Sequence, residues 1–221
     1  AVTQTLHVGI TNFDETPESN PMAAVLIPED SAAGSLSVAS EFSDPEGAVL
    51  SFGITGITMP TPLFTSLAID AVTGVITWEL QPNAFGSASI QVEATDPAGQ
   101  FVREQLVITV NAVDDAPTVD GQSFRATAGR TLRVNDPGLL STAFDVEGDS
   151  LSLVILQAPL HGTLVSQADG AFGYTPEAAY VGLDSFLFAV SDGTQLSDPQ
   201  TAVLDIHVAL ANVSGGRAAP A

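Results

Sequence analysis

Apolar and polar residues alternate in short runs along this chain, and no run lengthens into a helical period. Leu106-Val-Ile-Thr-Val110 and Leu204-Asp-Ile-His-Val208 each place apolar side chains two residues apart, on one face of an extended segment. Gly and Pro, at 19 and 14 residues, punctuate the runs as turn formers. The pattern predicts an all-β chain of short strands with little helix, arranged in antiparallel Greek-key sandwiches.

The runs recur as a set. Gly74-Val-Ile-Thr-Trp78, Gly86 and Ile90-Gln-Val-Glu-Ala-Thr-Asp96 return as Gly170-Ala-Phe-Gly-Tyr174, Gly182 and Phe186-Leu-Phe-Ala-Val-Ser-Asp192, every pair 96 residues apart. Asn12-Phe-Asp14-Glu15-Thr-Pro17 matches Asn111-Ala-Val-Asp114-Asp115-Ala-Pro117, and Asp44-Pro-Glu46-Gly matches Asp145-Val-Glu147-Gly-Asp149. A period of that size is a whole domain. The chain therefore reads as two tandem sandwiches, 20–113 and 114–211, with 1–19 as the end and linker of a preceding repeat and 212–221 as a flexible tail. Gln4-Thr-Leu-His-Val-Gly-Ile10 parallels Glu104-Gln-Leu-Val-Ile-Thr-Val110, so it is expected to be the final strand of that earlier repeat. An orphan strand of this kind should stay unpaired or join an exposed sheet edge. The expectation is a segment cut from a long tandem array.

Charge adds a constraint. The net charge is −21 with no lysine, and the only cations are Arg103, Arg125, Arg130, Arg133 and Arg217. Such a surface repels phosphates, which excludes nucleic acid and anionic lipid as partners, and it attracts divalent cations. Scattered acids such as Glu79 and Asp205 need no reason beyond solubility; acids repeated at loop positions do. There is no cysteine, so a metal between loops is one candidate staple. No apolar stretch reaches the roughly 20 residues of a membrane span.

Several motifs in matching order resemble bacterial cadherin-like repeats of large surface proteins. Leu67-Ala-Ile-Asp70-Ala-Val-Thr-Gly74-Val-Ile-Thr-Trp78 and Val92-Glu-Ala-Thr-Asp96-Pro-Ala-Gly99 resemble the dystroglycan-type cadherin-like domain. Asn135-Asp136, Asp145-Val-Glu-Gly-Asp149, Ala158-Pro-Leu-His-Gly-Thr163, Tyr174-Thr-Pro176 and Asp184-Ser-Phe186 resemble tandem adhesin repeats and those of chondroitin-sulphate proteoglycan ectodomains. The resemblance implies an immunoglobulin/cadherin-like sandwich, an extracellular or cell-surface location, calcium at module junctions, and neighbouring repeats as partners.

Calcium takes six to eight oxygens gathered from flexible loops, and a Greek-key sandwich clusters its B–C and F–G loops at one end. The second module would bring together Asp114 and Asp115 from the linker, Asp145, Glu147 and Asp149 from B–C, and Asp192 from F–G. The first offers Asp14, Glu15, Asp44, Glu46 and Asp96. The same Asp-Pro, Asp-Gly and Glu-Gly pairs are also turn formers whose carboxylates cap their own loops, so both readings stand. The cadherin pattern has a glutamate where this chain has Val72 of Asp70-Ala-Val72, which lowers the expectation to one ion per junction. Glu29 occupies another ligand place of the resembled pattern.

The remaining candidates point away from chemistry. His161 lies in a turn and reads as structural, and no catalytic elbow or zinc-protease motif occurs. Trp78 and Tyr174 share one place in the two modules, which suggests packing; as an exposed pair they would instead suit sugar stacking. The sequence reads as a non-catalytic calcium-binding spacer or adhesion segment of a secreted or surface-anchored bacterial protein. The alternative is a pair of carbohydrate-binding modules attached to an extracellular enzyme or adhesin. Surface glycans or a second adhesin copy are further partners that it leaves open.

Overall fold

The computed structural model describes residues 13–208, which divide into two compact units at the Val113–Asp114 bond. The first unit has strands β1 (Glu18–Ser19), β2 (Val25–Pro28), β3 (Gly34–Ser37), β4 (Phe42–Ser43), β5 (Ser51–Thr58), β6 (Phe64–Ile69), β7 (Val75–Leu80), β8 (Gly86–Thr95) and β9 (Phe101–Asn111). The second has β10 (Gln122–Thr127), β11 (Leu132–Val134), β12 (Ser152–Gln157), β13 (Gly162–Ser166), β14 (Phe172–Pro176), β15 (Gly182–Ser191) and β16 (Gln200–His207). Helix among the described residues is confined to the 3-10 turns Ala39–Glu41 and Gly138–Leu140.

Both units build the same two layers. A four-stranded sheet ordered β2-β9-β8-β5 faces a three-stranded sheet ordered β3-β7-β6, and the second unit repeats this as β10-β16-β15-β12 over β11-β14-β13. The sheets are not wholly antiparallel, as the alternation alone predicted. The first strand of each four-stranded sheet runs parallel to the last, with Val25 opposite Ile108 and Gln122 opposite Ala202. No hairpin turn joins these partners, so local turn chemistry carries no signal of the pairing.

Alternation explains the cores. Along β8, Ala88, Ile90, Val92 and Ala94 point inward, and along β15, Phe186, Phe188 and Val190 do so. Ile90, Val92 and Ala94 pack against Phe42, Phe52, Ile76 and Trp78 in the first unit, and Phe186, Phe188 and Val190 against Leu139, Phe172 and Tyr174 in the second. Trp78 pairs with Leu67 across its sheet and Tyr174 with Leu164, so the two aromatics hold one structural place. Both are buried, which leaves no ring face for a sugar. Gly34 is fixed by this packing, because a Cβ there would stand 2.5 Å from the indole.

The predicted orphan strand Gln4–Ile10 and the tail 212–221 lie outside the described residues. In the stretch 13–19, read from sequence as linker, Glu18–Ser19 pair with Phe42–Ser43.

Candidate metal centres

Three segments of the second unit come together at the end where its linker arrives. Asp145 and Asp192 start tight turns, and each spends one oxygen on its own loop. Asp145 Oδ1 accepts the Asp149 N–H at 2.8 Å, and Asp192 Oδ1 accepts those of Thr194 and Gln195 at 2.6 and 2.7 Å. The turn-capping role is therefore met by half of each carboxylate. The other halves, Asp145 Oδ2 and Asp192 Oδ2, are buried without a hydrogen-bond partner, as are Asp115 Oδ2 and Glu147 Oε1. A buried acceptor left unsatisfied costs about 1–3 kcal/mol, and more when it is charged. Four such oxygens stand on these three segments, and carboxylate oxygens gathered from loops are the donors that a hard cation takes.

Hydrogen bonds draw the segments together. The Asp115 N–H donates to Glu147 Oε2 at 3.1 Å, and carboxylate oxygens of these two residues lie within 4.8 Å of each other. Gln195 Nε2 donates to the Asp114 carbonyl at 2.6 Å and to its Oδ2 at 3.2 Å. The Thr194 hydroxyl bridges Asp114 Oδ2 and Asp192 Oδ1. Backbone N–H groups of Gln195 and Thr194 hold the Asp192 carboxyl below the usual carboxylate range, so it stays ionised and ready to ligate. Asp149 is not drawn in; it is exposed and contributes its backbone N–H alone.

The first unit repeats the arrangement. Asp44 Oδ1 accepts N–H groups from Glu46 and Ala48 at 2.9 and 2.8 Å, and Asp96 Oδ1 accepts those of Ala98 and Gln100 at 2.8 and 2.9 Å. Asp44 Oδ2 and Asp96 Oδ2 are again buried and unpartnered. The Glu15 N–H donates to Glu46 Oε2 at 3.1 Å, as Asp115 does to Glu147. Gln100 Nε2 donates to the Asp14 carbonyl and Oδ2 at 2.9 and 2.7 Å. Asp14 and Glu15 are exposed, whereas Asp96 is 5% exposed.

Sequence reasoning passed over the two glutamines and Thr194, since neutral polar residues in turns look generic. The Glu29 N–H donates to the Asn111 carbonyl at 3.0 Å, its Oε1 accepts the Val113 N–H at 2.8 Å, and its Oε2 is buried without a partner. Ala128 makes the matching backbone bond in the second unit, to the His207 carbonyl at 2.9 Å, and offers no carboxylate. Asp70, at the place lacking the pattern's glutamate, caps its own turn through Val72 and Thr73. Those bonds, Thr73's backbone N–H first, lower its carboxyl pKa.

A second buried acid has a different role. Asp184 accepts from the Tyr174 hydroxyl at 2.7 Å and from the N–H groups of Leu160, His161 and Ser185 at 3.0, 2.8 and 2.9 Å. Burial pushes this carboxyl up, but the four donors outweigh burial and leave it below the usual range; burial also pushes the Tyr174 hydroxyl up. No oxygen of Asp184 is left for a metal. His161 stacks on Tyr180 with ring centroids 3.8 Å apart, in the structural role its turn suggested.

Comparison with known proteins bears on the same residues. Residues 114–209 match the model of the bacterial cadherin-like domain. The mouse extracellular matrix organizing protein FRAS1 is 31% identical in an alignment 111 residues long that covers 42% of this chain and 3% of that protein, so the chain spans a small fraction of its curated relative. In structure, human CDH23 EC21-23 superposes with a TM-score of 0.60 at 17% identity, over 87% of this chain and 70% of that one. Human Protocadherin-24 EC1-2 gives 0.57 at 16%, over 88% and 100%. Residues 114–209 thus resemble the bacterial cadherin-like domain, and the chain shares the fold of cadherin ectodomain repeats.

Proposed function

We propose that each unit binds calcium at the end where its linker arrives, and that the chain is a non-catalytic spacer or adhesion segment of a large extracellular, surface-attached bacterial protein. One observation carries this reading: buried carboxylate oxygens without partners occur at matching positions of both units, Asp44 with Asp145 and Asp96 with Asp192. Asp114, Asp115, Asp145, Glu147 and Asp192 would hold the ion in the second unit, and Asp14, Glu15, Asp44, Glu46 and Asp96 in the first. Calcium would neutralise the clustered charge and tie the linker acids to two loops, stiffening the joint by which one repeat enters the next. The cadherin-repeat fold and the match to a bacterial cadherin-like domain support the repeat role, and the extracellular matrix relative supports the location. The absence of lysine fits a cation-attracting surface. Neighbouring repeats are then the immediate partners, and ligands of the whole protein belong to its other domains.

Extracellular modules bind calcium at about 10⁻⁴ to 10⁻³ M. At a few millimolar calcium and a dissociation constant near 10⁻⁴ M, mass action stabilises a unit by roughly 2 kcal/mol. For a domain of this size that raises the melting temperature by roughly 10 °C relative to EDTA. Magnesium, which needs a tight octahedral shell, should substitute poorly. Asp145→Ala and Asp192→Ala should each abolish the response of the second unit. Identical parent melts in calcium and in EDTA would leave these acids as turn formers alone.

A further inference from the structure

We infer that Gln100 and Gln195 are positioning residues of the two metal centres, each strapping its linker aspartate to the loop aspartate that it follows. This rests on the calcium reading above. The contacts are the same in both units. Backbone N–H groups of Gln100 and Gln195 donate to Asp96 Oδ1 and Asp192 Oδ1, at 2.9 and 2.7 Å. Their side-chain amides reach across to the linker, each donating to both the carbonyl and Oδ2 of Asp14 or Asp114. Each glutamine follows its loop aspartate by a different spacing, four residues in Asp96-Pro-Ala-Gly-Gln100 and three in Asp192-Gly-Thr-Gln195. The turns differ, yet the amide arrives at the same two acceptors, which separates the strap from an accident of loop sequence.

The physical role follows from charge. Asp14 and Asp96, or Asp114 and Asp192, repel each other, and the linker acids are exposed, so without a tie the linker would swing its ligand away. A two-point amide bond fixes both the main chain and the χ1 of the linker aspartate. It occupies Oδ2 and leaves Oδ1 free of partners among the described residues. A glutamine can do this where lysine or arginine cannot, since a cation at this place would neutralise the cluster and compete with the metal. The strap lowers the ordering cost of binding and adds no charge of its own.

The test is a calcium titration by calorimetry on the whole chain, comparing the parent with Gln195→Met, Gln100→Met and the double variant. Methionine keeps the length of the side chain and cannot donate. Each single variant should weaken one class of site about tenfold, the size expected when a support behind a ligand is lost, and the double variant should weaken both. Melting temperatures in EDTA should move little, because Gln195 is exposed and Gln100 is half-buried, with only polar contacts to lose. Equal affinity in parent and variants would overturn the strap and leave the calcium reading standing. An EDTA melt that falls as far as the calcium melt would make the glutamines structural and overturn it too. A parent that binds no calcium would overturn both readings.

Discussion

Strand β15 carries an aspartate at each end, Asp184 near its start and Asp192 just beyond its close, and the first unit shows what each is worth. At the close, the first unit has Asp96 and keeps the same half-used carboxylate. Near the start, it has Ala88, which is 1% exposed and packs with Leu63 and Val110 in an apolar plug. The polar pin of the second unit, Tyr174 on Asp184, has no counterpart there: Trp78 stands at the tyrosine's place and alanine at the aspartate's. One sandwich thus tolerates opposite chemistries at one end and repeats the same chemistry at the other. Packing alone accounts for the first end, where either a plug or a pin closes the core. It does not account for the second, where buried unpartnered carboxylate oxygens occur twice at a cost to the fold.

The largest effect is expected at Ala88. Writing the second unit's acid into the first, Ala88→Asp, buries a carboxylate without the loop amides that serve Asp184. An unpaired buried charge costs about 3–5 kcal/mol, enough to unfold the first unit at ordinary temperature. Circular dichroism and proteolysis should show the loss of that unit with or without calcium. A stable Ala88→Asp variant would mean that the indole N–H of Trp78, unpartnered in the parent, had turned to serve the new acid.

The reverse change is milder and removes a pH dependence. Asp184→Ala strands the Leu160 and His161 N–H groups and takes one acceptor from the Tyr174 hydroxyl, for about 3 kcal/mol in the second unit. The calcium response, which uses the other end of β15, should persist. Because the Asp184 carboxyl is held below its unfolded value, its contribution is present above the unfolded pKa of about 3.9 and is lost as pH falls through the folded value. Asp184→Asn should therefore flatten the acid limb of the second unit's stability curve below about pH 4. An unchanged acid limb would refute the pinning role.

How much of this was legible beforehand depends on the residue type. The acids of the linker-end loops stood out because charge in a turn is conspicuous and the turns recur in order. Asp184 was legible in principle: it shares the inward parity of Phe186, Phe188 and Val190, and an acid on a core face demands donors. The donors themselves, two amides of the Leu160–His161 turn, come from a different strand connection and carry no side-chain signature. Gln100 and Gln195 left no trace for a related reason, since their function lies in where an amide reaches. The parallel placement of β2 beside β9 is likewise a product of assembly, with no turn to announce it.

The smallest effect concerns Glu29, where the two units differ again. Its backbone bond to Asn111 is matched by Ala128 to His207, so the strand end needs no carboxylate. The Oε1 bond to the Val113 N–H survives in Glu29→Gln, whose amide NH2 replaces the unpartnered Oε2. Removing a buried charge that has no partner should leave the EDTA melt unchanged or raise it by about 0.5–1 kcal/mol in stability. In calcium the variant should gain less than the parent if Oε2 ligates an ion, as the resembled pattern assigns to this place. The two melts read together decide the role. A variant weakened in EDTA makes Glu29 a structural anchor, one with a full calcium response makes its charge incidental, and one that is steadier in EDTA yet less responsive to calcium makes it a ligand.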